Sequence, residues 1–322
     1  MTDAWKVSAW HDGPLHMLGD FLFDGSFRNL WPLFVIPFLT VLISDRTARL
    51  LPRTSGAWVA ATILVLAPAA AALGALYEAL STWGQILTWR GVVLMIVTPA
   101  TAASLLAYAL VRMVLRQREV ARLFRAATHP GARLAAAAQR LGIVARELPT
   151  GERECFVAGL FAPTVFISRG ALDALADEEL EAALCHERAH IRGRDTLMLF
   201  VLSLARDLAP YGKGDALEAF KTAREANADR AAASNAGSLS LAAALVALAR
   251  PGQHSRPAPQ GVLPMAKHDT LRWRMQALLD TDATVEPTRS WVQVAGGVGL
   301  NVAMVAWPAA QFELMLMFCD RW

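Results

Sequence analysis

Two histidines four positions apart, His186 and His190, flank Glu187 in the stretch ALCHERAHIRGRD, residues 183–195. On a helix, side chains at i and i+4 project from one face, so both imidazoles can reach one metal ion. Glu187 is rotated too far round to be an easy third ligand, but it can hold a water on that metal; this is the physical content of H-E-x-x-H. A hydrolytic zinc site keeps three protein ligands and one open position, so a third ligand has to come from elsewhere. The best candidate is Glu225 in TAREANADRAAA, followed four residues on by Asp229, placed on the same face to accept a hydrogen bond from a ligand histidine and fix its ring. Asp195, Glu181 and His268 are weaker candidates: one lies past a helix-ending glycine, one is on the motif's own helix, and one is remote. A plain helix surface with two solvated histidines would carry the same letters. The pairing of the two segments favours a His2Glu site holding one Zn2+ per chain.

The flanking patterns indicate what must position these residues. PGARLAAAAQRLGI reads as a helix, and ECFVAGL and PTVFIS are β-prone runs, separated by Phe161 and Ala162, that suit a hairpin or paired strands. Asp177 is a candidate N-cap, with Glu178 and Glu179 in the first turn, and the motif helix runs to about Gly193. Further helices are expected from Asp195, over about 214 to 234, over 238 to 250, and near 267 to 280. RPGQHSRPAPQGVLP is a Pro/Gly-rich loop.

The rest of the chain is apolar. Of its 322 residues 55% are hydrophobic and 18% charged, with mean hydropathy +0.34, a balance that predicts membrane spans. Four segments have the length, at about 28 to 44, 56 to 79, 91 to 115 and 291 to 318. Trp31, Trp83, Trp89 and Trp291 stand near their ends. Arg46, Arg49 and Arg53 follow the first, and Arg112, Arg116, Arg118, Arg122 and Arg125 leave the third. Basic flanks mark the cytoplasmic side. The expected fold is therefore a mostly α membrane protein of four transmembrane helices, with an α+β protease domain between helices three and four. Its parts are an extracytoplasmic segment 1–27, three spans over 28–115, a cytoplasmic domain 116–290, and a fourth span with a short outer tail over 291–322. That is a multi-pass protein of a bacterial inner membrane, with the lipid bilayer as partner and both termini outside. The aspartate-bearing N-terminus lacks signal-peptide features and is expected to be kept. No direct nucleic-acid contact is expected, since the arginine run abuts a span and lacks interleaved aromatics. Cys155, Cys185 and Cys319 show neither disulfide nor zinc-ribbon spacing and read as small apolar residues.

VAGLFAPTVFISRGALDALADEELEAALCHERAHIRGRD, followed by EANAD, resembles the integral-membrane zinc metallopeptidases of the BlaR/MecR β-lactam sensor family and, more distantly, the HtpX and CAAX-prenyl protease group. The resemblance covers about 154 to 230. It implies a gluzincin-like domain with zinc ligands His186, His190 and Glu225, Glu187 as catalytic base, and Asp229 beside the ligands; Asp195 matches a recurrent aspartate. The antibiotic sensors carry a penicillin-binding domain after the fourth span, whereas this sequence ends at FELMLMFCDRW, so no such sensor is expected.

The expected activity is a zinc-dependent endopeptidase, taking a protein or peptide substrate. Resemblance suggests a transcriptional repressor, and the protease could also cut itself. Quality control of membrane proteins and a catalytically idle sensor or scaffold are the alternatives. Arg272, Arg274, Tyr211 and His254 are open as stabilisers of the oxyanion. The two strands could pair with an extended peptide or simply roof the core. Oligomeric state is not read from the sequence.

Overall fold

The computed structural model describes residues 31–51, 57–81, 89–208, 214–249, 268–279 and 294–306. The N-terminal segment 1–27, the Pro/Gly-rich loop, Tyr211, His254 and Cys319 lie outside them.

Three helices come first: α1 (Trp31–Ala48), α2 (Trp58–Ser81) and the long α3 (Trp89–Ala126). Helix α4 (Ala132–Leu141) ends at Gly142, whose φ of +64° lets its N–H turn back onto the last turn of the helix. Next come β1 (Ala145–Leu148), β2 (Cys155–Ala158), β3 (Thr164–Ser168) and the short α5 (Arg169–Ala174). The helices α6 (Asp177–Arg192), α7 (Asp195–Leu208), α8 (Asp215–Ala236), α9 (Ser238–Ala249) and α10 (His268–Leu279) follow, and residues 294–306 form α11.

The sheet has the order β1-β3-β2. The β2 and β3 strands form the expected antiparallel pair, while β1 runs parallel to β3. Alternation along the strands explains why β2 and β3 are apolar throughout. Cys155, Val157, Val165 and Ile167 enter one core with α4, α6 and α9. Phe156, Ala158 and Phe166 face the other way, against Val120, Leu123 and Phe124 of α3. The Phe124 ring meets Phe166 edge-on at 4.9 Å. The sheet is thus covered on both faces. Cys155 and Cys185 are free, buried thiols, as read.

The four-span expectation does not hold. Among the described residues, no helix is long and apolar enough to cross a membrane. Part of the apolar sequence instead forms helix–helix core: Ala61, Leu64, Val65 and Ala69 of α2 pack with Leu199 and Leu202 of α7 and Leu217 and Phe220 of α8. Helix α1 buries Thr40, Ser44 and Thr47, and Ser44 Oγ donates to Asn301 Oδ1 of α11 at 3.1 Å. The outward faces of α1 and α2 leave Phe38, Leu42, Leu66 and Leu73 exposed. Two of the arginines counted as cytoplasmic flanks have a different task. Arg49 pairs with Asp215 at 2.6 Å, and the largely buried Arg116 pairs with Asp207 at 2.7 Å. They tie α1 and α3 to α8 and α7. The multi-pass inner-membrane placement, and the orientation drawn from those arginines, are corrected accordingly.

Candidate metal centre

Helix α6 is rich in Ala, Leu and Glu, residues that favour helix, and it opens on three carboxylates that suit its N-terminal dipole. The N-cap is Ala176 rather than Asp177; the Ala176 N–H donates to Glu179 Oε2 at 2.9 Å. One turn apart near its C-terminal end, His186 and His190 bring their Nε2 atoms to 3.1 Å. Helix α8 packs across this face and inserts Glu225, whose oxygens lie 3.4 Å from His186 Nε2 and 3.6 Å from His190 Nε2. All three side chains are buried, and their donor atoms lie within 4.8 Å of one another. Tetrahedral zinc with bonds of about 2.0–2.1 Å has ligand–ligand edges of about 3.3 Å, close to these separations.

Behind each histidine stands a carboxylate. His186 Nδ1 lies 3.0 Å from Asp229 Oδ1, and His190 Nδ1 lies 2.7 Å from Asp195 Oδ2. A carboxylate can only accept, so each Nδ1 carries a hydrogen and each Nε2 is turned towards the shared pocket. Behind each carboxylate stands an arginine. Arg274 of α10, 1% exposed, donates from Nε to Asp229 Oδ2 at 2.7 Å and from Nη2 to Oδ1 at 2.5 Å. Its Nη1 lies 2.9 Å from Glu225 Oε2. Arg224 Nη2 lies 2.6 Å from Asp195 Oδ1.

Charge in this buried volume shifts several groups. Burial alone would lower His186, but hydrogen bonds to Asp229 and Glu225 push it up to about 9. Burial would raise Glu225 and Asp229; Arg274 and the histidines hold Glu225 below the usual carboxylate range, and the His186 hydrogen bond and Arg274 hold Asp229 well below it. Glu187 is raised, because burial outweighs the two histidines beside it. Arg274 is raised by Glu225 and Asp229 against the opposing effect of burial.

The pocket fits a divalent cation. Both oxygens of Glu187, and Glu225 Oε1, are buried without a hydrogen-bond partner, an arrangement that costs free energy unless something positive or proton-donating meets them. With the imidazoles neutral, as metal binding requires, the carboxylates of Glu187, Asp195, Glu225 and Asp229 outnumber the guanidiniums of Arg224 and Arg274 by two charges. Residues 115–217 match the profile of Peptidase family M48. Over that segment the chain is similar to zinc metallopeptidases. No curated protein matches the chain.

The M48 segment takes in His186, Glu187, His190 and Asp195 and stops short of Glu225 and Asp229, which α8 delivers to the same pocket. All six residues singled out in the sequence therefore meet. Of the alternative ligands, Asp195 is engaged by His190 Nδ1. Glu181 is half-exposed and pairs with Arg140 at 3.1 Å, while His268 is the first residue of α10. Of the oxyanion candidates, Arg274 is committed to Asp229 and Glu225 and Arg272 is exposed. Sequence reading missed Arg224 altogether and gave Arg274 a different task. The available signal was two basic residues, Arg224 directly before Glu225 and Arg274 further on, each able to balance buried carboxylates.

Proposed function

We propose that the chain is a zinc-dependent endopeptidase in which His186, His190 and Glu225 hold one Zn2+ and Glu187 is the general base. The observation that carries this reading is the convergence of three buried donor side chains beside a buried glutamate with two unpartnered oxygens. When bound, zinc would supply a Lewis acid that polarises a carbonyl and lowers the pKa of water. Glu187 takes a proton from the attacking water and delivers it to the leaving amine. Its raised pKa suits the second half of that task, because the carboxyl holds the proton more readily than an exposed glutamate would. Asp229 and Asp195 keep the imidazoles turned, and the Arg274 clamp keeps Glu225 and Asp229 in place.

Substrate geometry follows from the sheet. β1 is flanked outside by a bridge from Thr128 to Glu147, whereas no strand among the described residues pairs with the outer edge of β2. β2 also begins beside the base, since the charge of Glu187 contributes to raising the Cys155 thiol, after burial. An extended polypeptide adding to this edge would run its backbone past Glu187, with main-chain hydrogen bonds providing affinity. Such a site selects extended protein segments, and the motif resemblance to the BlaR/MecR group makes a transcriptional repressor, or the chain itself, the substrate we favour. A catalytically idle scaffold has no use for a buried, unpartnered Glu187.

Zinc content and peptide cleavage test the proposal together. Wild-type protein should hold one zinc per chain and cut an unstructured protein, and Glu225→Ala should lose both. Zinc retained at full stoichiometry in Glu225→Ala would move the third ligand elsewhere.

A further inference from the structure

The turn from α6 to α7 brings one carboxylate to the back of one imidazole. After Gly193 ends α6, Arg194 adopts φ +51°, a left-handed conformation uncommon for a residue with a Cβ. Asp195 then opens α7, 2% exposed, with Oδ2 2.7 Å from His190 Nδ1 and Oδ1 2.6 Å from Arg224 Nη2. Gly193 is needed here for space rather than for its backbone angle. A Cβ at that position would stand 1.8 Å from Arg224 Nη2 and 2.7 Å from Asp195 Oδ1.

Arg224 precedes Glu225 on α8, and successive side chains on a helix diverge by about 100°. Glu225 therefore enters the metal pocket while Arg224 leaves towards α7 and α2. Arg224 is 8% exposed, and its guanidinium carbon lies 5.7 Å from the ring centre of Trp58, the first residue of α2. The result is a continuous line of contact, Trp58 to Arg224 to Asp195 to His190. A carboxylate held at both oxygens has a fixed plane. Asp195 held only by His190 would be free to turn, and the imidazole with it.

We infer that Arg224 is a positioning residue for His190, acting through Asp195 and seated by Trp58, so that α2 is tied directly to the metal centre. This rests on the reading of His190 as a metal ligand. Outer partners of ligand histidines affect metal affinity by about 10–100-fold, and a guanidinium stacked on an aromatic face is held in orientation as well as in charge.

The test uses the full chain, with zinc alone as the probe. Zinc affinity is measured by chelator competition, and the His190 Nδ1–H by 15N-edited NMR. Arg224→Gln should weaken zinc about 10–100-fold and shift or broaden the His190 Nδ1–H resonance. In an Asp195→Asn background the same change should add nothing further, because the relay is already broken. Trp58→Ala, which alters no charge, should move the same resonance and weaken zinc to a smaller degree, and Trp58→Phe should restore both. Wild-type affinity and an unmoved resonance in Arg224→Gln or in Trp58→Ala would overturn the inference. Equal losses from Arg224→Gln with and without Asp195 would overturn it too. A wild-type chain that binds no zinc, or whose zinc is indifferent to His190→Ala, would instead overturn the parent reading.

Discussion

Arg274 grips Asp229 through two hydrogen bonds, of 2.7 and 2.5 Å, from a helix that follows the Asp229 helix by way of α9. Its remaining nitrogen lies 2.9 Å from Glu225, so one guanidinium organises a candidate zinc ligand and the carboxylate behind a second. Breaking a buried ion pair by removing one partner costs about 3–5 kcal/mol, because the other charge is left buried. Arg274→Met should therefore lower the melting temperature of the metal-free protein sharply. Zinc should recover part of the loss by neutralising Glu225. Thermal melts with and without zinc check this, and a metal-free melt equal to wild type would remove Arg274 from the account.

With His186 as a zinc ligand, as proposed, zinc and a proton compete for its ring. The imidazole is held protonated up to about 9 in the metal-free protein, against an ordinary value of 6.5, and binding zinc through Nε2 requires that proton to leave. Zinc affinity should consequently rise about tenfold per pH unit between these two values and level off above the higher one. An unperturbed histidine would level off near 6.5. Calorimetry in buffers of different ionisation enthalpy should report about one proton released per zinc at neutral pH. The sign for folding is the reverse: the raised value stabilises the metal-free fold fully below 6.5, and that contribution fades as pH climbs through about 9.

The carboxylate behind His186 can be separated from the ligand opposite it. Asp229→Asn preserves shape while removing the charge that His186 and Arg274 share, and should weaken zinc about 10–100-fold with stoichiometry still reaching one. Glu225→Ala should fail to reach that stoichiometry at any practical zinc concentration. Equilibrium dialysis distinguishes the two, and an Asp229→Asn protein with wild-type affinity would show that the hydrogen bond to His186 Nδ1 is dispensable.

Local pattern accounts for what could be read in advance. The i, i+4 spacing of His186 with His190 and of Glu225 with Asp229 is a property of single helices, so both halves of the pocket were legible before their meeting was seen. The β2–β3 pair was legible for the same reason, as two apolar runs with a short connection. The β1 strand was not: AREL is short and half polar, and it exists because β3 offers it a parallel partner. Arg224 and Arg274 were obscured because their worth depends on carboxylates brought to them by other helices. Apolar length was the misleading signal. It predicts burial without naming the neighbour, and α2 packs against α7 and α8 while Arg49 and Arg116 pair with carboxylates of those helices.

In the proposed function Glu187, beside zinc on His186, His190 and Glu225, moves the proton of a peptide-bond hydrolysis. General bases of this kind contribute about 10²–10⁴-fold to rate. The most direct measurement compares newly created protein N-termini in cells carrying wild type or Glu187→Gln, together with the zinc content of each purified protein. One zinc is expected in both, with a set of cleavages present in wild type and lost in the variant. Identical N-termini in the two, with zinc bound in both, would contradict it.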